Sequence, residues 1–226
     1  MSSAVKFFIA QTPSYDKRLY NRLVDAGAES LRAHLRGSFE FQRRLTRFIE
    51  NHDEPRAVTA FGRERSRAAA VLALTVPGMH LVHEGQIEGR RVKIPVQLGR
   101  RPAEPSDLLI QAHYKRLLRA LSDPVFHEGA WQLLEPQRAG ISESYRGFIA
   151  HHWSLRDARR LVVVNWSAHR AQCFLPLHLP APAGASWQLR DLLGDVGYQR
   201  RDDLLNPGLY LDMPAYSYHL FDVQRP

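Results

Sequence analysis

One change of hydrophobic period, near Phe126, divides this chain and limits what it can become. Ahead of it, apolar residues recur at helical spacing in long segments separated by short apolar runs. Tyr15 to Leu35 carries Leu19, Leu23, Ala26, Leu31 and Leu35 at spacings near three and four, which suits an amphipathic helix. Arg63 to Val76 is rich in Ala and Leu and stops at Pro77-Gly78; Leu108 to Leu121 is a second strong helix pattern. Between them lie two strand candidates, Leu45 to Glu50 and Met79 to His83. This strand–helix alternation predicts a parallel sheet or barrel. Behind Phe126 the period becomes that of short strands: Gly147 to Trp153, Arg160 to Trp166, Ala171 to Leu179, Gly208 to Asp212 and Tyr216 to Phe221. Turn clusters separate them, with a hairpin tip expected in the Pro/Ala stretch at 180–185, and the spacing predicts an antiparallel sandwich.

Composition excludes several classes. A single cysteine, Cys173, rules out an internal disulfide framework and a multi-cysteine zinc site. No apolar run reaches the ~18 residues of a spanning helix. The apolar stretch at the N-terminus is too short for a signal peptide, which predicts a cytoplasmic protein without membrane contact. The formal charge is +8, but only four of the 31 basic residues are Lys and the arginines are spread along the chain. That reads as an Arg-favouring codon bias, and no nucleic-acid partner is expected. His80/His83 and His151/His152 lie on opposite strand faces within each pair, so no metal is expected. A Gly-x-Ser-x-Gly elbow and a P-loop are both missing, and no cofactor is implied.

The most chemically loaded stretch is Phe48-Ile-Glu-Asn-His-Asp-Glu-Pro-Arg56. It sets an amide, an imidazole, a carboxylate and a guanidinium at the C-terminal end of a strand, where βα barrels carry their active sites. Asp53 beside His52 suits hydrogen bonding to vicinal sugar hydroxyls and stabilisation of positive charge at an anomeric carbon. The same residues also suit a polar turn that caps the next helix.

This stretch resembles the strand-seven motif of the α-amylase family of glycoside hydrolases, whose core is Asn-His-Asp after an apolar strand. One helix later, Pro77-Gly-Met-His-Leu-Val-His-Glu-Gly-Gln-Ile-Glu-Gly89 is similar to the family's strand-eight segment. Tyr15-Asp-Lys-Arg-Leu-Tyr20 is similar to the surroundings of strand six, and the β-rich tail resembles the family's C-terminal domain. The resemblance implies an α/β region followed by an all-β one: about strands six to eight of a (β/α)8 barrel in residues 1–124, then an antiparallel β-sandwich in residues 125–226. It implies Asp53 as transition-state stabiliser, His52 as a sugar ligand, and Asn51 and Arg56 as residues that orient them and bind substrate. The implied partner is an α-glucan or maltooligosaccharide. Two departures stand out. His83 and Glu84 replace an aromatic pair before the strand-eight glycine, and Ile87 followed by Glu88 replaces an acidic residue after Gly-Gln.

A complete barrel takes about 250 residues, and about 120 precede the tail here. Retaining glycosidases need a nucleophile and an acid/base some 5 Å apart. The family's Gly-x-Arg-x-Asp nucleophile pattern does not occur ahead of Asn51. The nearest match to the family's strand ending in the acid/base Glu is Phe8-Ile-Ala-Gln11. Either an amide, which has no proton to give, stands in the acid's place, or residues 1–14 are unrelated to that strand. The expectation is a catalytically incomplete polypeptide whose open barrel edge favours self-association or pairing with a missing N-terminal half. The alternative is a non-catalytic α-glucan-binding or scaffolding module that uses Trp131, Trp153, Trp166 and Trp187; the bland role for these four is core packing.

Overall fold

The computed structural model describes residues 14–177, 179, 186–201 and 208–225. The Phe8–Gln11 alignment and the hairpin tip at 180–185 lie outside them. The first region is a parallel sheet with helices: β1 (Ser14–Tyr15), α1 (Lys17–Asp25), α2 (Ala28–Leu35), α3 (Phe39–Gln42), β2 (Leu45–Arg47), α4 (Ala57–Phe61), α5 (Arg63–Thr75), β3 (Met79–His80) and α6 (Leu108–Leu121). The strands run in the order β1-β2-β3, with Tyr15 beside Thr46 and Arg47 beside His80. Among the described residues β1 and β3 each have one neighbour, so both edges of this sheet are open, and Tyr15 and Met79 are about half exposed there.

Local chemistry sets the element ends. Asp16 caps α1 by accepting the Leu19 amide, and Asp107 caps α6 by accepting the amides of Leu109 and Ile110. The helix expected through Leu35 breaks at Ala26, which is extended, and restarts after Gly27. The Ala26 carbonyl accepts the Trp166 indole N–H instead. Gly78 lies at φ +132°, and a Cβ there would sit 2.3 Å from the Leu45 carbonyl oxygen. Only glycine permits that approach between the end of α5 and β2.

After α7 (Val125–Glu128) come β4 (Ala130–Leu134), β5 (Gln137–Arg138), β6 (Phe148–Leu155), β7 (Ala158–Asn165), β8 (Ala171–Leu175), β9 (Ser186–Asp191), β10 (Gly197–Arg201), β11 (Leu209–Met213) and β12 (Tyr218–Gln224). They build two antiparallel sheets, β10-β9-β12-β7-β6-β4 and β11-β8-β5. The expected α/β portion followed by all-β layers is what the chain adopts.

β6 and β7 explain how the layers join. In β7, Leu161 and Val163 face the second sheet through a core that contains Cys173, Leu175, Leu211 and Met213. Val162 and Val164 face the helices, in one cluster with Leu72, Leu117 and Ile149. The run Leu-Val-Val-Val is apolar throughout because both its faces are covered. The apolar core therefore crosses the boundary expected at 124/125. The end of α5 is tied to β6 as well: Trp153 donates its indole N–H to the Thr75 carbonyl at 2.7 Å, and the His151 ring lies 3.1 Å from the Thr75 hydroxyl. Trp153, Trp166 and Trp187 are buried, and Trp131 packs against the His151 ring with centroids 5.8 Å apart. The four tryptophans are packing residues and form no exposed stacking face.

Candidate functional site

The chain leaves β2 through Phe48, which stacks on Tyr20 of α1 at 5.4 Å between ring centroids, and Ile49, which is fully buried. These anchors fix where the polar residues emerge. Glu50 stays inside at 1% exposure. Its Oε1 accepts from Arg56 Nη1 at 2.7 Å, and its Oε2 accepts from the Ala57 amide at 2.6 Å. Arg56 is itself 3% exposed, and the pair is sealed. Arg56 Nε donates to the Val92 carbonyl and Nη1 also reaches the Glu84 carbonyl, Nη2 lies 3.8 Å from Glu84 Oε2, and His83 Nδ1 lies 2.9 Å from Nη1 and 3.0 Å from Glu50 Oε1. Gly85, at φ +85°, leaves room for this guanidinium: a Cβ there would meet Arg90 Cγ at 2.7 Å and Arg56 Nη1 at 3.4 Å.

Asn51 Oδ1 accepts the amides of Asp53 at 2.9 Å and Glu54 at 3.0 Å, an Asx-type turn that projects the next two side chains outward. Asn51 therefore shapes the loop. The side chains of His52 and Asp53 are 50% and 74% exposed, with His52 Nε2 3.4 Å from Asp53 Oδ2. Of the four residues singled out in the sequence, the structure presents two to solvent, His52 and Asp53, and holds two beneath them, Asn51 and Arg56. Glu54 turns back and pairs with Lys17.

The strand-eight segment forms the other side. Gln86, 3% exposed, accepts the His83 amide at 3.1 Å and donates to the Tyr114 hydroxyl of α6 at 2.7 Å, which fixes the Gly-Gln turn against that helix. Burial holds the Tyr114 phenol above its ordinary range, so it stays a neutral acceptor. The loop from residue 81 to 107 then folds back over the Asp53 turn. Thr59 donates to the Arg91 carbonyl at 3.0 Å, Lys93 donates to the Asp53 carbonyl, and Arg101 pairs with Glu84. A cavity of about 230 Å³ results, lined by His52, Arg56, His83, Lys93, Val96 and Leu98 among others.

Glu50, Gln86 and Lys93 were not singled out in the sequence, and His83 stood there only as half of a rejected metal pair and as a departure from the strand-eight pattern. Glu50 carried a readable signal: an acid inside an apolar strand, six residues before an arginine, needs a buried partner. Lys93 carried none, because its partner is a main-chain carbonyl distant in sequence. Among the described residues no three His, Cys, Asp or Glu side chains are grouped to hold a metal, and no helix is long and apolar enough to cross a membrane.

No family model matches the chain. Over 152 residues, 66% of its length, it is 28% identical to the α-amylase MalA of Haloarcula japonica, and the match covers 22% of that protein. An α-amylase from Anoxybacillus superposes with a TM-score of 0.72 at 16% identity, over 94% of this chain and 47% of that one. The α-amylase of Geobacillus thermoleovorans, solved with acarbose, superposes with a TM-score of 0.70 at 19% identity, over 93% and 48%. The chain thus spans about half the length of these structures and about a fifth of MalA. The α-amylase resemblance read from its motifs holds in both sequence and fold.

Proposed function

We propose that this chain carries one side of an α-glucan site of the α-amylase type, with Asp53 as the carboxylate that offsets charge at the anomeric carbon and His52 as a hydrogen-bond partner of the same sugar. The observation that carries the reading is the Asn51 turn, which holds these two side chains at the surface after β2 while Glu50 and Arg56 pair with each other and Glu54 pairs with Lys17. The buried Glu50–Arg56 pair sets the position of that turn. Substrate is an α-glucan or maltooligosaccharide.

A nucleophile and a proton donor come from a second polypeptide segment. Among the described residues the edges at β1 and β3 are open, and these edges with the half-exposed Tyr15 and Met79 support docking of that segment, or of another copy. A binding module built on the four tryptophans gains no support, since they are packing residues.

Turnover tests this reading. The purified chain releases no reducing sugar from soluble α-glucan, because removing a nucleophile or acid costs orders of magnitude in rate. Mixed with the part of the Anoxybacillus enzyme that it does not match, it gains hydrolysis that Asp53→Asn abolishes. Hydrolysis by the chain alone that survives Asp53→Asn overturns the assignment.

A further inference from the structure

We propose that the ligand of the cavity beside the Asp53 turn is an anionic saccharide, a sugar phosphate, with its phosphoryl group held by Lys93. This rests on the reading that His52 and Asp53 meet a sugar, places that sugar in the cavity that His52 lines, and adds its class.

The argument is a charge inventory. Each carboxylate around the cavity already faces its own cationic or imidazole partner. Glu50 is paired with Arg56 at 2.7 Å, Glu84 with Arg101, and Asp53 faces the His52 ring at 3.4 Å. Lys93 lines the same cavity, and among the described residues no carboxylate pairs with it. Its ammonium spends one donor on the Asp53 carbonyl. An ammonium has three donors, so two remain for a ligand. The carbonyl fixes the charge next to the turn that presents Asp53, so ordering it for a ligand costs little further side-chain entropy.

The surroundings agree. Residues 90–101 carry Arg90, Arg91, Lys93, Arg100 and Arg101 and no acid. This basic run forms one wall of the cavity, and among the described residues the one carboxylate that lines it, Glu84, is paired with Arg101, which favours an anion beside Lys93. His52 and His83 also line the cavity and can donate to a phosphoryl oxygen. Val96 and Leu98, both more than half exposed, supply apolar wall for the C–H face of a sugar ring. A bare inorganic anion would leave that wall unused.

Titration of the ¹⁵N-labelled chain with glucose, glucose 6-phosphate and inorganic phosphate, followed at the amides of His52, Asp53 and Lys93, tests the proposal. Glucose 6-phosphate is expected to half-saturate these shifts at about one tenth of the glucose concentration, a preference worth about 1.4 kcal/mol. Lys93→Gln is expected to bring the two sugars to equal affinity, and Lys93→Arg to keep the preference. Lys93 is exposed, so these variants leave the core untouched. Equal affinity of the unsubstituted chain for the two sugars, or a preference that survives Lys93→Gln, overturns the proposal and leaves the neutral-glucan reading standing. Inorganic phosphate matching glucose 6-phosphate overturns it too, since the site then binds an anion only. No shift with either sugar overturns this proposal and the sugar reading together.

Discussion

Replacing Arg56 by Met is expected to destabilise the protein by about 3–5 kcal/mol, the cost of stranding a buried charge. Glu50 would keep its 1% exposure and its bond from the Ala57 amide but lose the guanidinium that neutralises it. The loss reaches further than one pair, because Arg56 also binds the Glu84 and Val92 carbonyls and so fastens the returning loop to the Asp53 turn. A domain of ordinary stability, about 5–15 kcal/mol, would lose a large share of it. Urea unfolding reads the effect as a lower midpoint at unchanged slope. The double variant Glu50→Gln/Arg56→Met is expected to recover part of the loss, since it removes both charges. A cost below about 1 kcal/mol for Arg56→Met would show that the pair behaves as a surface ion pair.

The second large effect is acid sensitivity. Burial pushes the His151 imidazole down to about 3 and His113 down to about 4, from an ordinary value of 6.5. Both are therefore neutral in the folded protein near pH 7. Below pH 6.5 the unfolded chain takes up protons at these residues and the folded protein does not. Their contribution to stability is fully present above pH 6.5 and is lost as pH falls toward 4 for His113 and 3 for His151. Each residue supplies a slope of up to about 1.4 kcal/mol per pH unit, so the two together reach about 2–3 in this window. Asp16, held low despite its burial by hydrogen bonding from His34 and the charge of Arg47, loses its contribution only below 3.8 and so falls outside most of this range. Urea midpoints between pH 7 and 4.5 check the slope. His151→Gln, which does not titrate and keeps a polar group near Thr75, is expected to flatten it by about half. An unchanged slope in that variant would show that His151 is already accessible to protons.

How much of this was readable follows from which forces act locally. α5 and α6 appear within a residue of the stretches their periodicity marked, because an amphipathic or Ala-rich run of three or more turns, with Pro-Gly after one and the Asp107 cap before the other, leaves few alternatives. The Leu161–Val164 run read as a strand for the same reason. The helix through Leu35 did not hold, since the Ala26 break is stabilised by Trp166, 140 residues away. At the site, the sequence singled out His52 and Asp53, which the turn does present, and gave Asn51 and Arg56 a part in orienting them. It left unread what those two touch: the Asn51 turn bonds are local, but Glu50, His83 and Lys93 join the network only when the strand-eight loop folds back over the strand-seven turn.

The central claim is that His52 and Asp53 meet a saccharide. Chemical-shift mapping of the labelled chain with maltotetraose tests it most directly. The account predicts that the amides of His52, Asp53, His83 and Lys93 shift together and saturate, with Asp53→Ala abolishing the response. Shifts confined to the antiparallel sheets, or a response unchanged in Asp53→Ala, would contradict it.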